Sequence, residues 1–175
     1  MILFTVGTNE QPFDRLVRAA AELETDEPLF VQHGASLVEH GSGEWVDFLS
    51  YEDLTARAHE ARVVICHAGV GSIMMARRCG HTPLVVPRRH HLGEAVDDHQ
   101  LVLARRLDAA GSVVLVEDEQ RLARAIASVG LVMRHPASSP LDGARELNAD
   151  IRSVLTTLGA AELNAGAASA AGRAA

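Results

Sequence analysis

Residues His67-Ala68-Gly69-Val70-Gly71-Ser72 have the types and spacing most suited to chemistry. Two glycines one residue apart let the backbone pass close to a ligand. A helix starting beside them aims unpaired N–H groups at the same spot, which suits an anion, typically a phosphate. The flanks supply the elements. Val63-Val64-Ile65-Cys66 is apolar, β-branched and too short for a helix, the pattern of a strand buried on both faces. Ser72 stands where a helix N-cap belongs, ahead of the periodic Ile73, Met74 and Ala76. Gly80 then ends the helix as a C′ residue, and Leu84-Val85-Val86 is a second buried strand closed by Pro87. The spacing alone does not decide the role. GxG lacks the third glycine of GxGxxG, and a tight turn explains it as well as a phosphate site does. His67 has two open roles, polarising a ligand or holding the turn through a backbone hydrogen bond.

Two other chemistries are weaker. His90, His91 and His99 with Asp97 and Asp98 are metal-ligand types, but their spacing matches no familiar site, and a solvated polar loop is the simpler reading. A Ser/His/Asp hydrolase would need a nucleophile elbow, and there is no GxSxG.

The elements that must position these residues alternate along the chain. Ile2 to Val6 reads as a strand, Gly7-Thr8-Asn9 as a turn, and Pro12 as the first helical position. Phe13, Leu16, Val17, Ala20 and Leu23 form the apolar face of that helix. Leu29 to His33 is a strand, Trp45 to Leu49 a short one, and Ser50 caps a helix running to about Ala61. Beyond Pro87, a polar segment leads into a helix from about Asp97 to Ala110. A strand at Val113 to Val116 and a helix at Asp118 to Ser128 follow. A last helix, about Leu141 to Leu158, carries an apolar stripe of Leu147, Ile151, Val154, Leu155 and Leu158. It would serve either to pack on the sheet or to dock a partner. The expected fold is α/β, a Rossmann-like, mostly parallel six-stranded sheet flanked by helices. One domain spans residues 1–158, and 159–175 form an Ala/Gly-rich tail expected to be disordered.

Composition narrows the function. A net charge of −7 and 3% aromatic residues argue against nucleic acid as a partner. All 16 basic residues are arginine, which excludes a Walker P-loop and lysine Schiff-base chemistry. Cys66 and Cys79 read as free core thiols of a reducing compartment. No apolar run reaches the ~18 residues of a membrane span, and Met1-Ile2-Leu3-Phe4 lacks a basic leader, so a cytoplasmic location is expected.

The run HAGVGSI, then PLVVPRR, GE-x-VDDHQ and a helix ending in AAG resembles the C-terminal, donor-binding half of the MurG-like GT-B glycosyltransferases of family 28. TVGTNEQPFDRLVRA, VQHG and FLSYEDL resemble stand-alone versions of that half, the soluble subunits of two-part transferases. The resemblance covers about Met1 to Val116. It implies inverting, metal-independent transfer of a hexose or N-acetylhexosamine from a UDP-sugar to a lipid-linked acceptor. No cofactor is implied. A membrane-associated partner subunit would carry the acceptor and the general base, holding the chain at the inner face of the membrane. It implies that Gly7, Thr8 and Asn9, with His67, Ala68, Gly69, Val70, Gly71 and Ser72, face the diphosphate and sugar. Leu49 and Ser50 would lie near the uracil, and Asp98, His99 and Gln100 would reach the sugar or phosphate side. Arg88 or Arg89 would add a bidentate contact. One position departs from the pattern. Relatives place a ribose-gripping glutamate where this chain has Met75, so that Glu94 or Asp97 takes the role, or ribose binding is weaker, or the chain is a non-catalytic nucleotide-binding or regulatory subunit.

Overall fold

A computed structural model of the chain describes residues 1–132 together with Ala149 and Thr156. The short apolar runs form six parallel strands among the described residues. They are β1 (Ile2–Thr5), β2 (Leu29–Gln32), β3 (Glu44–Val46), β4 (Val63–His67), β5 (Leu84–Val86) and β6 (Val114–Leu115), in the order β3-β2-β1-β4-β5-β6. The helices are α1 (Asp14–Ala21), α2 (Tyr51–Glu60), α3 (Val70–Arg78), α4 (His99–Ala109) and α5 (Leu122–Val132).

The period of two along each strand divides the core between the faces. Ile2, Phe4, Val63, Ile65, Leu84 and Val86 pack with Leu16, Val17 and Ala20 of α1 and with Leu122 and Ile126 of α5. On the opposite face Leu3, Phe30 and Val64 meet Ala58 of α2 and Met75 and Ala76 of α3, while Cys66 and Val85 meet α4. Both faces are covered, which is why the central strands lack a polar alternation. Strand order reverses between β1 and β4, the place where doubly wound sheets open a crevice at the carboxyl ends of their strands.

Several boundaries differ from the sequence expectation. Helix α1 starts at Asp14, not at Pro12. Its N-cap is Phe13, whose ring is buried and whose N–H donates to Ser36 Oγ at 2.8 Å. Ser72 is not an N-cap, because α3 begins at Val70 with Gly69 at the cap in extended geometry. Leu49 lies outside β3, and the segment after Asp118 divides into a 3-10 turn, Glu119–Arg121, and α5. Ser50 caps α2 as expected, accepting the Asp53 N–H at 3.0 Å. Gly80, at φ +85°, closes α3, with its own N–H donating to Arg77 and the His81 N–H to Ala76, both at 3.0 Å. Both cysteines are free, and burial pushes the Cys66 thiol up to about 12. The expected last helix, its stripe, the tail and the domain limit at 158 lie outside the described residues.

Candidate functional site

A cavity of about 390 Å³ opens over the ends of β1, β2 and β4. Thr5, Gly7, Thr8, Gln32, His67, Gly71, Ser72 and Met75, from β1, β2, β4, α3 and their turns, form one wall of its lining. Phe48, Leu49, Tyr51 and Leu54, from the β3–α2 segment, form a second that meets the first where Leu49 and Leu54 pack in the cluster of Met75. No carboxylate and no arginine is among these residues. Its electrostatics therefore come from backbone. Helix α3 has no side-chain cap, and its first bond is from the Ile73 N–H to Gly69. The N–H groups of Val70, Gly71, Ser72 and Thr8 have no hydrogen-bond partner among the described residues. Gly71 and Ser72 place the positive end of α3 against the cavity, an arrangement that attracts an anion.

The two glycine turns are joined by His67. Its ring fills the space that a Cβ at either glycine would need. A Cβ on Gly7 would lie 2.4 Å from His67 Cε1, and one on Gly69 would lie 2.1 Å from Nε2. These glycines thus make room for an imidazole, a requirement the GxG spacing does not reveal. Burial lowers the His67 pKa to about 4. The nearby charge of Arg88 adds to this, and the Thr5 backbone opposes it by a smaller amount. The ring is neutral at pH 7, with Nδ1 buried and unbonded. Of the two roles open in the sequence, the packing favours holding the turns. The Gly7 turn is fixed from below as well, because its N–H donates to Gln32 Oε1 at 3.2 Å and its carbonyl accepts from Gln32 Nε2 at 3.0 Å. The Gly7 N–H is therefore spent inside the protein, and Thr8 supplies the open amide of this turn.

The family model of the glycosyltransferase family 28 C-terminal domain matches residues 1–156. The chain belongs to this family. Two relatives named UDP-N-acetylglucosamine–N-acetylmuramyl-(pentapeptide) pyrophosphoryl-undecaprenol N-acetylglucosamine transferase match just under half of the chain. The Cupriavidus metallidurans protein is 34% identical over 86 residues, and the Rhodospirillum rubrum protein 32% over 87, each match covering 49% of this chain. The matched stretches are 22% and 21% of those proteins' lengths. The fold is also that of spinosyn forosaminyltransferase SpnP, with a TM-score of 0.58 at 20% identity, over 91% of this chain and 43% of that one.

Within this family 28 domain, the expected residues divide by location. Gly7, Thr8, Leu49, His67, Gly71, Ser72 and Met75 line the cavity. Asn9 turns its Oδ1 to the Gln11 N–H at 2.8 Å, and Ser50 shares its hydroxyl with Asp53. Ala68 is buried against Ile73 and Leu103. Arg88 is a correction. It is fully buried, and its guanidinium donates to the carbonyls of Val6, Gln11, Pro12 and Glu94 at 2.8–3.2 Å, with its charge over the Phe13 ring. With those four carbonyls occupying it, Arg88 clamps the β1–α1 loop to the β5–α4 loop and does not meet a diphosphate. Arg89 reaches the Glu117 carbonyl.

Glu94 is a correction as well. It forms a two-pronged ion pair with Arg15, at 3.0 and 2.9 Å, and accepts the Arg89 N–H, so its carboxylate is engaged away from the cavity and does not line it. Asp97 caps the His99 N–H and meets its Nδ1 at 2.8 Å, contacts that hold its carboxyl below the usual range. Asp98 accepts the His90 N–H and Gln100 accepts the Arg88 N–H, so these side chains order the β5–α4 loop and do not line the cavity. Among the described residues, no group of three or more His, Cys, Asp or Glu is arranged to hold a metal. No described helix is long and apolar enough to cross a membrane.

The sequence reading missed Thr5, Gln32, Phe48, Tyr51 and Leu54. Phe48 and Tyr51 are 50% and 62% exposed at the rim. In a chain with 3% aromatics, two exposed rings flanking Leu49-Ser50 were the available signal.

Proposed function

We propose that this domain binds a UDP-sugar at the β1/β4 crevice and serves as the donor half of an inverting glycosyltransferase. The observation that carries the reading is the cavity with unpaired amides at the start of α3 and at Thr8 on one wall and two exposed aromatics on the other. The diphosphate sits at the amides and the nucleoside against Phe48, Leu49 and Tyr51. A hydroxyl of a lipid-linked acceptor attacks the anomeric carbon from the face opposite UDP. The C–O bond to the diphosphate breaks, and negative charge grows on the leaving group. The α3 amides and helix dipole stabilise that charge without reorganising, and no metal takes part in this scheme. The general base and the acceptor belong to a membrane-associated partner, which holds the domain at the cytoplasmic face. The sugar is a hexose or N-acetylhexosamine, and the relatives' names put N-acetylglucosamine first in the order of testing.

Met75 favours a second reading, a nucleotide-binding subunit without turnover. It is 1% exposed, it lines the cavity, and its thioether cannot accept two strong ribose hydrogen bonds. Calorimetric titration with UDP and UDP-sugars, with ADP and GDP as controls, tests the shared claim. Selective uridine binding supports it, and no preference for uridine refutes it. Release of UDP in the presence of partner and acceptor separates the two readings.

A further inference from the structure

Gln32 ends β2 with its side chain 3% exposed beneath the cavity. Its carboxamide is fully used. Oε1 accepts the Thr5 hydroxyl at 2.7 Å and the Gly7 N–H at 3.2 Å. Nε2 donates to the Gly7 carbonyl at 3.0 Å and to the Asp47 carbonyl at 2.7 Å. Two acceptor sites and two donor hydrogens are the whole capacity of a primary amide. The partners lie on different walls. Gly7 belongs to the turn that carries Thr8, and Asp47 immediately precedes Phe48 and Leu49.

We propose that Gln32 is a positioning residue that sets the spacing between the anion-binding wall and the aromatic wall, and so the length of ligand that spans them. The inference rests on the donor-binding reading for the identity of that ligand. Few side chains can replace this amide. Glutamate turns acceptors toward the Gly7 and Asp47 carbonyls, and methionine matches the length but bonds to neither wall. Asparagine is one methylene short. A buried polar group with every bond made is rigid, and the same group with half its bonds missing is not. The Asp47 carbonyl also accepts the Gly34 N–H at 3.0 Å and the Val46 carbonyl the His33 N–H at 2.9 Å, so the segment before Phe48 keeps these backbone ties when the amide is lost. The Gly7 turn retains its contacts with His67 and its distance from the other wall becomes free to vary.

The test compares the full chain with Gln32→Met and Gln32→Glu, with melting curves reporting folding. In ligand-free protein, Gln32→Met should speed amide exchange by about tenfold at both Gly7, whose N–H bonds Gln32, and Gly34, whose N–H reports the Asp47 carbonyl beside Phe48, with α4 unchanged. A rise on one wall only, or on neither, overturns the inference. If Gln32→Met does not fold, Gln32→Glu carries the comparison. It keeps the Thr5 and Gly7 N–H bonds and should loosen the Phe48–Leu49 wall, and no loosening there overturns the proposal. In titrations, Gln32→Met should weaken UDP by about tenfold more than it weakens uridine, because only UDP spans both walls. Equal losses overturn the inference. A wild-type chain that binds no UDP overturns the donor reading, while the exchange result still decides whether Gln32 couples the walls.

Discussion

Gly69→Ala isolates the packing of His67 between the two turns. Gly69 has φ −76° and ψ 132°, a conformation any L-residue adopts, so alanine brings no backbone strain there. Its Cβ would lie 2.1 Å from His67 Nε2 and 2.9 Å from Cδ2 and Cε1. The ring has no room to retreat toward Gly7, where the equivalent distance is 2.4 Å. Overpacking of this kind costs about 1–3 kcal/mol, and the reduced freedom of the unfolded chain returns about 0.4–1 kcal/mol. A net loss of about 1–2 kcal/mol is expected for Gly69→Ala. In a His67→Ala background the same substitution should be close to neutral, giving a coupling of about 1–2 kcal/mol in a double-mutant cycle. Urea denaturation of the four proteins reads this directly. Gly7→Ala provides the contrast. Its φ is +78°, so removing the ring should recover only part of the loss, and about 1–2 kcal/mol of backbone strain should remain. An additive cycle for Gly69 and His67 would refute the reasoning.

Three further outcomes follow from the same geometry. The folded pKa of His67 is about 4, below the ordinary 6.5, so the unfolded chain binds the extra proton first. Stability should be level above pH 6.5 and fall as pH drops toward 4, by on the order of 3 kcal/mol, with His81 contributing in the same direction. Denaturation across that range should show a shallower fall in His67→Gln. Arg88→Lys cannot make the four-carbonyl clamp and should lose about 2–4 kcal/mol, measured by denaturant midpoint. Met75→Glu should lower the ligand-free melting temperature, because it buries a carboxylate, and tighten UDP binding by about tenfold if the side chain meets ribose. Unchanged UDP affinity would remove the ribose role from that position.

The sheet was legible because its strands are buried on both faces and their apolar runs are continuous. Helix starts were less so. Phe13 and Gly69 cap α1 and α3 without a side-chain bond, so no cap residue marks them. The turns carrying Thr8, Gly71 and Ser72 could be read from strand–glycine–helix order alone. Arg88 and Glu94 could not. Their partners lie far away in the chain, in the β1–α1 loop and at Arg15, and no local pattern distinguishes a buried guanidinium from a surface one. Gln32 was hidden for the same reason, since both walls it ties come from other loops.

The central claim is the location of the nucleotide, and a UDP titration followed by amide chemical shifts tests it most directly. Saturable shifts are expected at Thr8, Val70, Gly71 and Ser72, together with Phe48, Leu49 and Tyr51. Shifts centred on the Arg88–Gln100 segment or beside β6, or none at all, would contradict it.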